Sequence, residues 1–310
     1  MKNFNECLQY FPNHLKICLE SIDDFKKKRI TEIRLRGNNT LSVTLHEGQR
    51  FVMPSGKLTG NMTGAVTYKN DDFDVILNNF CSYSLYSYGN QIKKGFITVK
   101  GGHRAGLCGT AVTENECVTN IKYFSSMNIR IAREIKGCGF EIYEKLFGQY
   151  DTGSVLIISP PAGGKTTVLR DLARIISDSG KKVSVIDERG ELGAVWNGKP
   201  HNDLGKFTDI LDGYPKYEGM MTAVRTLSPD VIFCDEISDY NEFRAISEAF
   251  KNGVCVVATV HSAGVEDLLR RKYICEYIEN GVFNTIVELH GAQQPGEIKK
   301  IHKAKDILNG

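Results

Sequence analysis

The chain has 310 residues, a length that predicts about two domains and allows a sizeable core. Hydrophobic residues make up 41% and charged residues 25%, which is typical of a soluble globular protein and excludes collagen-like, low-complexity and coiled-coil chains. Lys and Arg (39) exceed Asp and Glu (37) by only two, so no global positive charge drives non-specific nucleic-acid binding. A local basic patch is not excluded.

The cysteines and the apolar runs indicate the compartment. The nine cysteines are scattered, odd in number and without a C-x-x-C pair, which predicts reduced thiols in the cytosol. The N-terminal segment mixes charged and polar residues among its apolar ones, unlike a signal peptide. The longest apolar runs fall far short of the ~20 residues that span a bilayer. We expect a cytoplasmic protein that reaches a membrane only as a peripheral component at its inner face.

The first half of the chain mixes strand and helix patterns. Asn70 is expected to cap a helix whose apolar residues, from Phe73 to Phe80, recur at helical spacing. Short strands are predicted at Ile30–Leu35, Leu41–Leu45, Arg50–Met53, Gly95–Lys100 and Ala105–Thr113. Glycines between residues 135 and 153 suggest a boundary. We predict a smaller α+β domain over residues 1–145.

In the second half, apolar strands alternate with amphipathic helices, which predicts a mostly parallel sheet with helices on its faces over residues 146–310. The strands are Val155–Ile158, Lys182–Ile186, Val231–Cys234 and Val254–Val260, and the helices lie near 164–179, 217–227 and 241–251. Thr285–His290 and Glu297–His302 are expected to form a closing antiparallel hairpin. The predicted fold class is therefore α/β, preceded by the α+β domain.

The sharpest motif is SPPAGGKTT at residues 159–167, between a strand and a helix, which is the context of a phosphate-binding P-loop. Ser159 stands where the first glycine is usual, but phosphate is cradled mainly by the later amides and the helix N-terminus. Lys165 is expected to reach the β and γ phosphates of ATP, and Thr166 to bind Mg²⁺. The alternative is a glycine-rich turn with an incidental Lys-Thr. The predicted nucleotide-binding residues are Pro161, Ala162, Gly163, Gly164, Lys165, Thr166 and Thr167.

A second motif follows 70 residues after Lys165, where the buried-type strand Val231–Cys234 ends in Asp235 and Glu236. An Asp that ends a strand beside the P-loop strand can hold Mg²⁺, and the next Glu can deprotonate an attacking water. We predict Asp235 as the acid on the metal side and Glu236 as the general base.

Two further strands are expected to end beside the P-loop and Asp235, because ligands of open α/β sheets bind in the crevice at the carboxyl ends of the strands. Asp187 and Glu188 follow one strand, where they can bind Mg²⁺ or polarise water, and His261 ends another, where it can sense the γ-phosphate. Each also has a structural interpretation: Asp187 can cap a loop, and His261 can bond the backbone.

The ordered segments SPPAGGKTT, VIDERGEL, LDGYPKYEGMM, SPDVIFCDEI and ATVHS resemble the secretion-type RecA-like ATPases of type II and type IV secretion and pilus retraction. Within that superfamily they are most similar to the stage III sporulation protein AA family of spore-forming bacteria. The segments EIRLRGNNTLSV, GGHRAGLCG and NIRIAREIKGCG resemble the N-terminal half of that family, so the similarity covers about Thr31 to Ala263.

The resemblance implies a hexameric RecA-like P-loop ATPase associated with a transenvelope channel between mother cell and forespore. Lys165 and Thr166 take the Walker A roles, and Asp235 with Glu236 the Walker B roles. Asp187 and Glu188 fall on the acidic box, and His261 on the histidine box.

Such motors complete their sites with arginines from an adjacent domain or subunit. Arg104 on a glycine-rich turn, and Arg130 and Arg133 in NIRIARE, are the candidates, with Arg225 as a further one. The alternative for each is a surface or interdomain ion pair.

We therefore expect an Mg²⁺-dependent, homo-oligomeric ATPase motor that powers or assembles a membrane-spanning channel and binds membrane-embedded channel proteins. The rivals are a RecA-type nucleic-acid-dependent ATPase, a nucleotide-gated scaffold that does not hydrolyse ATP, and a small-molecule P-loop kinase. No nucleic-acid partner is expected, because basic and aromatic loops are few. The basic runs at 26–29 and 299–305 fit solvated faces better than a lipid or nucleic-acid surface.

Overall fold

The computed structural model describes residues 2–37, 40–45, 47–132, 135–147 and 153–308. The chain divides into two compact units. Unit 1 comprises residues 1–133 and 194–201, and unit 2 comprises residues 134–193 and 202–310. The division falls earlier in the chain than the sequence-based boundary at 145/146. The reason is that the backbone N–H groups of Gly137 and Gly139 both donate to buried Asp171, at 2.7 and 2.8 Å, which ties this segment to unit 2.

Unit 1 combines short helices with a large antiparallel sheet. Its helices are α1 (Lys2–Cys7), α2 (Asn13–Glu20), α3 (Asp24–Lys27), α4 (Asn70–Phe80) and α5 (Gly89–Lys93), with 3₁₀ turns at Leu8–Tyr10 and Leu85–Tyr88. Its strands are β1 (Ile30–Leu35), β2 (Ser42–Leu45), β3 (Gly48–Val52), β4 (Leu58–Thr59), β5 (Phe96–Val99), β6 (His103–Glu114) and β7 (Cys117–Arg130).

The sheet of unit 1 has the order β4-β3-β2-β1-β7-β6-β5. The predicted helix α4 is present, and its apolar residues Phe73, Ile76, Leu77 and Phe80 are buried. Its start differs by one position: Lys69 is the cap residue, and the carboxylate of Asp72 accepts the Lys69 N–H at 2.8 Å. Unit 1 therefore contains both helices and an antiparallel sheet.

Unit 2 alternates strands and helices along the chain. Its helices are α6 (Phe140–Ile142), α7 (Lys165–Asp178), α8 (Lys216–Thr226), α9 (Tyr240–Lys251), α10 (Val265–Leu269) and α11 (Lys272–Glu279), with one π turn at Tyr143–Phe147 and a 3₁₀ turn at Asp306–Leu308. Its strands are β8 (Ser154–Ser159), β9 (Val183–Asp187), β10 (Thr208–Asp212), β11 (Val231–Cys234), β12 (Cys255–His261), β13 (Phe283–Leu289) and β14 (Ile298–Lys303).

The second sheet has the order β10-β9-β11-β12-β8-β13-β14. Its neighbouring strands pair in parallel except β14, which pairs antiparallel with β13 and forms the predicted closing hairpin. Apolar side chains of the strands pack into two clusters of buried residues, which agrees with helices on both faces. One expectation was wrong: the strand before Asp235 is not next to the P-loop strand, because β12 lies between β11 and β8.

Two further observations concern the cysteines and the helices of the described residues. None of the nine cysteines, each in the described part of the chain, forms a disulfide bond. None of the helices in residues 2–37, 40–45, 47–132, 135–147 and 153–308 is long and apolar enough to cross a membrane.

A buried carboxylate in the closing hairpin gives a pH-dependent prediction. Burial alone would raise the pKa of Glu288, but Lys299 at 2.8 Å and His302 at 3.3 Å lower that pKa below its ordinary 4.5. The stabilisation is therefore present above pH 4.5 and is lost as the pH falls through the folded-state pKa. Glu288→Gln should lower the free energy of unfolding by about 1–2 kcal/mol at pH 7, and by less at pH 4, in urea titrations.

The matched control is Glu248→Gln, because Glu248 forms an exposed ion pair with Lys251 on α9. It should leave the free energy of unfolding unchanged within about 0.5 kcal/mol at both pH values. A loss from Glu288→Gln that is as large at pH 4 as at pH 7 would contradict the charge-based explanation.

Candidate nucleotide site

Four strands of unit 2 end at one edge of the sheet and bring the predicted residues together. The register pairs His261 of β12 with Ser159 of β8, while Cys234 of β11 pairs with both Ala258 of β12 and Ile186 of β9. Because these strands are parallel, their carboxyl ends lie side by side. The P-loop, Asp187, Asp235 and His261 therefore share one edge.

The turn between β8 and α7 depends on two glycines. A Cβ atom on Gly163 would collide with the Ser159 hydroxyl and lie 2.7 Å from the His290 carbonyl oxygen. Gly164 has a φ of +85°, and a Cβ there would lie 2.5 Å from the Gly296 nitrogen. A side chain at either position would disrupt the turn, so the glycines hold the backbone in the tight curve that a phosphate cradle needs.

Some N–H groups of this turn are bonded within the turn, and others are available to bind a phosphate. Gly163 donates to the Pro160 carbonyl at 3.2 Å, and Pro161 has no N–H, so neither amide supports the cradle in this conformation. Helix α7 begins at Lys165, and the first-turn amides of a helix have no partner within it. The amides of Lys165, Thr166 and Thr167 are thus the donors that the helix places best for a phosphate.

Lys165 is buried, with 6% of its surface exposed, and its ammonium folds back over the P-loop. Its Nζ atom donates to the Ser159 carbonyl at 3.1 Å and lies 2.9 Å from Nδ1 of His261. Burial lowers the pKa of Lys165, and the charges of Asp235 and Glu236 partly offset that shift. The lysine is therefore held among groups that a phosphate oxygen can replace.

Thr166 and Asp235 meet directly, which links the two motifs. The Thr166 hydroxyl donates to Oδ2 of Asp235 at 2.6 Å, while the Thr259 hydroxyl donates to Oδ1. A hydroxyl and a carboxylate beside a phosphate cradle are oxygen ligands that suit Mg²⁺. Among the described residues no group of three His, Cys, Asp or Glu side chains forms a metal cluster, and Mg²⁺ that is bound with phosphates needs only one or two protein ligands.

Glu236 has an unusual backbone and a tightly held carboxylate. Its φ is +51°, a left-handed conformation that costs a non-glycine residue roughly 1–3 kcal/mol. Oε1 lies 2.7 Å from Nε2 of His261, and Oε2 accepts from Arg189. Burial raises the pKa of Glu236, but His261, Arg189 and Lys165 together lower that pKa below its ordinary value. The carboxylate is therefore kept ionised, as a proton acceptor must be.

His261 connects the P-loop lysine with the predicted base. One ring nitrogen faces Lys165 and the other faces Glu236, at 2.9 and 2.7 Å. The His261 carbonyl, in turn, accepts from Arg271 at 2.6 Å. The side chain thus bonds functional groups rather than the backbone, and its place at the γ-phosphate stays a prediction.

Asp187 and Glu188 have other partners. The Asp187 carboxylate is 2% exposed and accepts the N–H groups of Glu191, Leu192 and Gly193 at 2.7–3.1 Å. Burial raises its pKa despite these hydrogen bonds. This geometry supports the loop-capping interpretation of Asp187, and its role as a metal ligand stays a prediction. Glu188 lies 3.6 Å from Lys216, and its catalytic role likewise stays a prediction.

Two of the arginine candidates, Arg104 and Arg130, lie in the sheet of unit 1, whereas Arg225 lies on α8 of unit 2. Arg104 and Arg130 are directly paired across β6 and β7. The Arg104 guanidinium lies over the ring of Phe96, 3.7 Å from its centre, and Arg130 Nε is 3.7 Å from Glu32. Arg133 lies outside the described residues. Arg104 and Arg130 therefore form one row on one face of the sheet in unit 1.

The sequence motifs assign no role to several further residues of the site. They are Arg189, which binds the Glu236 carboxylate; Thr259, which binds Asp235; Lys216, which donates to the Glu236 carbonyl; and Gly296, whose N–H donates to the Gly163 carbonyl. The segments VIDERGEL, LDGYPKYEGMM and ATVHS contain three of them, but only the tertiary structure brings these residues to the P-loop.

With the site described, comparison with known proteins identifies the family. The sequence profile described as "Sporulation stage III, protein AA" matches residues 4–308, so the chain belongs to this family. Stage III sporulation protein AA of Bacillus subtilis (strain 168) is 34% identical over 303 residues, which cover 96% of this chain and 94% of the relative.

Solved structures agree on the fold. The ATPase DotB from Legionella pneumophila matches with a TM-score of 0.55 and 14% identity, covering 88% of this chain and 74% of that protein. The pilus retraction motor PilT with bound ADP matches with a TM-score of 0.54 and 14% identity, covering 84% of this chain and 74% of that one. The chain thus shares its α/β fold with these two proteins.

Proposed function

We propose that this protein is an Mg²⁺-dependent ATPase whose unit 2 is a RecA-like P-loop domain. The observation that carries the proposal is the direct contact between Thr166 and Asp235, 2.6 Å apart, at the mouth of the P-loop. A glycine-rich turn with an incidental Lys-Thr would not require an acid from another strand at that point. The α/β fold shared with DotB and PilT supports the same assignment.

Different groups of the protein bind the phosphates, activate the water and hold the metal during hydrolysis. The first amides of α7 and the ammonium of Lys165 bind the phosphates, and His261 contacts the γ-phosphate. Glu236 accepts a proton from a water molecule while the oxygen of that water forms a bond to the γ-phosphorus. The bond from that phosphorus to the bridging oxygen breaks, and ADP leaves with the electron pair. Thr166 and Asp235 would hold Mg²⁺, which neutralises charge on the phosphate oxygens.

At the level of the cell, we propose a homo-oligomeric motor, a hexamer, that powers or assembles a membrane-spanning secretion-like channel during sporulation. The family supports the sporulation context, and the fold shared with PilT, a pilus retraction motor, supports the motor assignment. Membrane-embedded channel proteins are the proposed partners, with the motor acting in the cytoplasm at the membrane's inner face.

The test is phosphate release from ATP, measured across protein concentration together with molecular mass. Wild-type protein is expected to hydrolyse ATP only with Mg²⁺, and its specific activity should rise as oligomers form. Arms with DNA and with lipid vesicles distinguish the rivals. Turnover that requires DNA would favour a nucleic-acid motor, and absence of turnover at every concentration would contradict an ATPase.

A further inference from the structure

A buried lysine at the start of α8 does not belong to either sequence motif of the site. Lys216 is 6% exposed, and its Nζ atom donates to the Glu236 carbonyl oxygen at 2.7 Å. It also donates to Oε1 of Glu242 at 2.9 Å and lies 3.6 Å from Oε2 of Glu188. One ammonium thus connects α8 with the residues that follow β9 and β11 and with α9.

Local structure does not explain this lysine. A cation in the first turn of a helix is unfavourable, because the N-terminal end of the helix dipole is positive. Burial of an ammonium is also unfavourable unless partners compensate. Here burial would lower the pKa of Lys216, yet Glu242 and other neighbours raise it above the ordinary value, so the charge persists at neutral pH. Its tertiary partners therefore explain its position.

The most informative partner is the peptide that follows Glu236. The Glu236 N–H donates to the Thr259 hydroxyl at 2.8 Å, and the Ile237 N–H donates to the Thr259 carbonyl at 2.8 Å. Lys216 holds the carbonyl oxygen of the same peptide. A non-glycine residue with φ at +51° persists only where its surroundings fix it. Loss of the ammonium removes one of these constraints, so the peptide can rotate and move the carboxylate.

Glu242 makes this arrangement rigid. Its Oε2 accepts the Ser238 N–H at 2.6 Å and the Asp239 N–H at 3.3 Å, while its Oε1 binds Lys216. The loop after Glu236 is therefore attached to the helix that follows it and to α8 through a single carboxylate.

We propose that Lys216, held by Glu242, is a positioning residue that fixes the left-handed backbone of Glu236 and so aims its carboxylate at the attacking water. The inference rests on the proposed hydrolysis and adds a residue of α8 to its machinery. Lys216 acts through Glu236, because its ammonium binds the backbone of that residue.

The experiment compares Lys216→Met with wild type and with Lys251→Met, which removes an exposed lysine from a surface ion pair in the same unit. Lys216→Met is expected to lower kcat about 10- to 100-fold, the usual effect of misplacing a reacting group by about 1 Å. Affinity for a fluorescent ATP analogue should stay within about threefold, because the phosphate contacts are unchanged. Lys251→Met should match wild type.

Measurements in the Glu236→Gln variant distinguish a purely structural role of Lys216 from a role that acts through Glu236. If Lys216 acts through Glu236, Lys216→Met should not lower the residual turnover of Glu236→Gln further. Multiplicative losses in the double variant, or parallel losses of kcat, affinity and thermal stability, would overturn the proposal.

A second variant keeps the test possible if Lys216→Met folds poorly. Lys216→Met with Glu242→Gln leaves no unpaired buried charge, which favours folding, and it should show the same loss of kcat. If this double variant folds and has wild-type turnover, the inference about Lys216 is wrong, whereas the proposed ATPase function is unaffected. Absence of hydrolysis by wild type at all concentrations would instead contradict the proposed function.

Discussion

Replacement of Glu236 by Gln is expected to lower the rate constant of ATP hydrolysis about 10²–10⁴-fold, the usual contribution of a positioned general base. Gln has nearly the same shape, so it can still contact His261 and Arg189, but it cannot accept the proton of water. Affinity for ATP should stay within about threefold, because the proposed mechanism assigns Glu236 to the attacking water and not to binding the phosphates. Single-turnover phosphate release and binding of a fluorescent ATP analogue measure the two quantities separately.

The matched control is Glu248→Gln on α9, which should hydrolyse ATP like wild type. Retained binding without turnover in Glu236→Gln would also exclude a scaffold that binds nucleotide but never hydrolyses it. Wild-type turnover in Glu236→Gln, with the phosphate loop intact, would remove the proposed base from the mechanism.

We predict that one of Arg104, Arg130 and Arg133 completes the site in trans, so that its replacement has the second large effect, a decrease in turnover of about 10³–10⁵-fold. Arg104 and Arg130 are described candidates with defined contacts, to Phe96 and Glu32. Arg133, which lies outside the described residues, is tested with them. Each is changed to Ala, and Arg50→Ala, on β3 of the same unit, serves as the control.

Mixing experiments distinguish an arginine that acts in trans from one that only stabilises its own unit. An inactive arginine variant and inactive Glu236→Gln should regain turnover when they are mixed, because one junction then combines an intact arginine with an intact Glu236. If the variants of Arg104, Arg130 and Arg133 all behave like wild type, or if mixing restores nothing, this part of the account fails.

The sequence predicts those elements whose pattern is local. Helix α4 has apolar residues at helical spacing from Phe73 to Phe80, and the structure buries all of that stripe. The alternation of strands and helices after residue 153 predicts the parallel sheet, because parallel strands need crossover connections. The closing hairpin follows from two strand-like segments around Pro295 and Gly296.

Elements without such a pattern escape prediction. Strand β10, Thr208–Asp212, lies at the edge of its sheet and buries only Leu211, so apolar periodicity does not mark it. Strand β7, Cys117–Arg130, carries many exposed polar residues and extends well beyond its buried end. The position of β12 between β8 and β11 is a long-range property, which strand spacing alone does not encode.

The candidate site likewise contains residues whose position the sequence predicts and residues whose position it does not. Lys165, Thr166, Asp235 and Glu236 belong to motifs whose chemistry requires their spacing, and the structure brings them together. The Asp187 carboxylate faces the backbone instead, because the loop after β9 turns its amides toward it.

Lys216 illustrates the limit of sequence reasoning most clearly. Its importance depends on the left-handed backbone of Glu236, 20 positions along the chain, and on the distance between Nζ and that carbonyl oxygen. Neither quantity has a signature in the sequence.

The most direct test of the account is calorimetric titration of a non-hydrolysable ATP analogue with Mg²⁺ into wild type, Lys165→Met and the control Lys251→Met. Loss of one charge-assisted hydrogen bond to phosphate predicts binding that is about 10- to 100-fold weaker in Lys165→Met, with wild-type affinity in the control. Equal affinity in all three proteins would contradict the claim that the triphosphate binds where β8 meets α7.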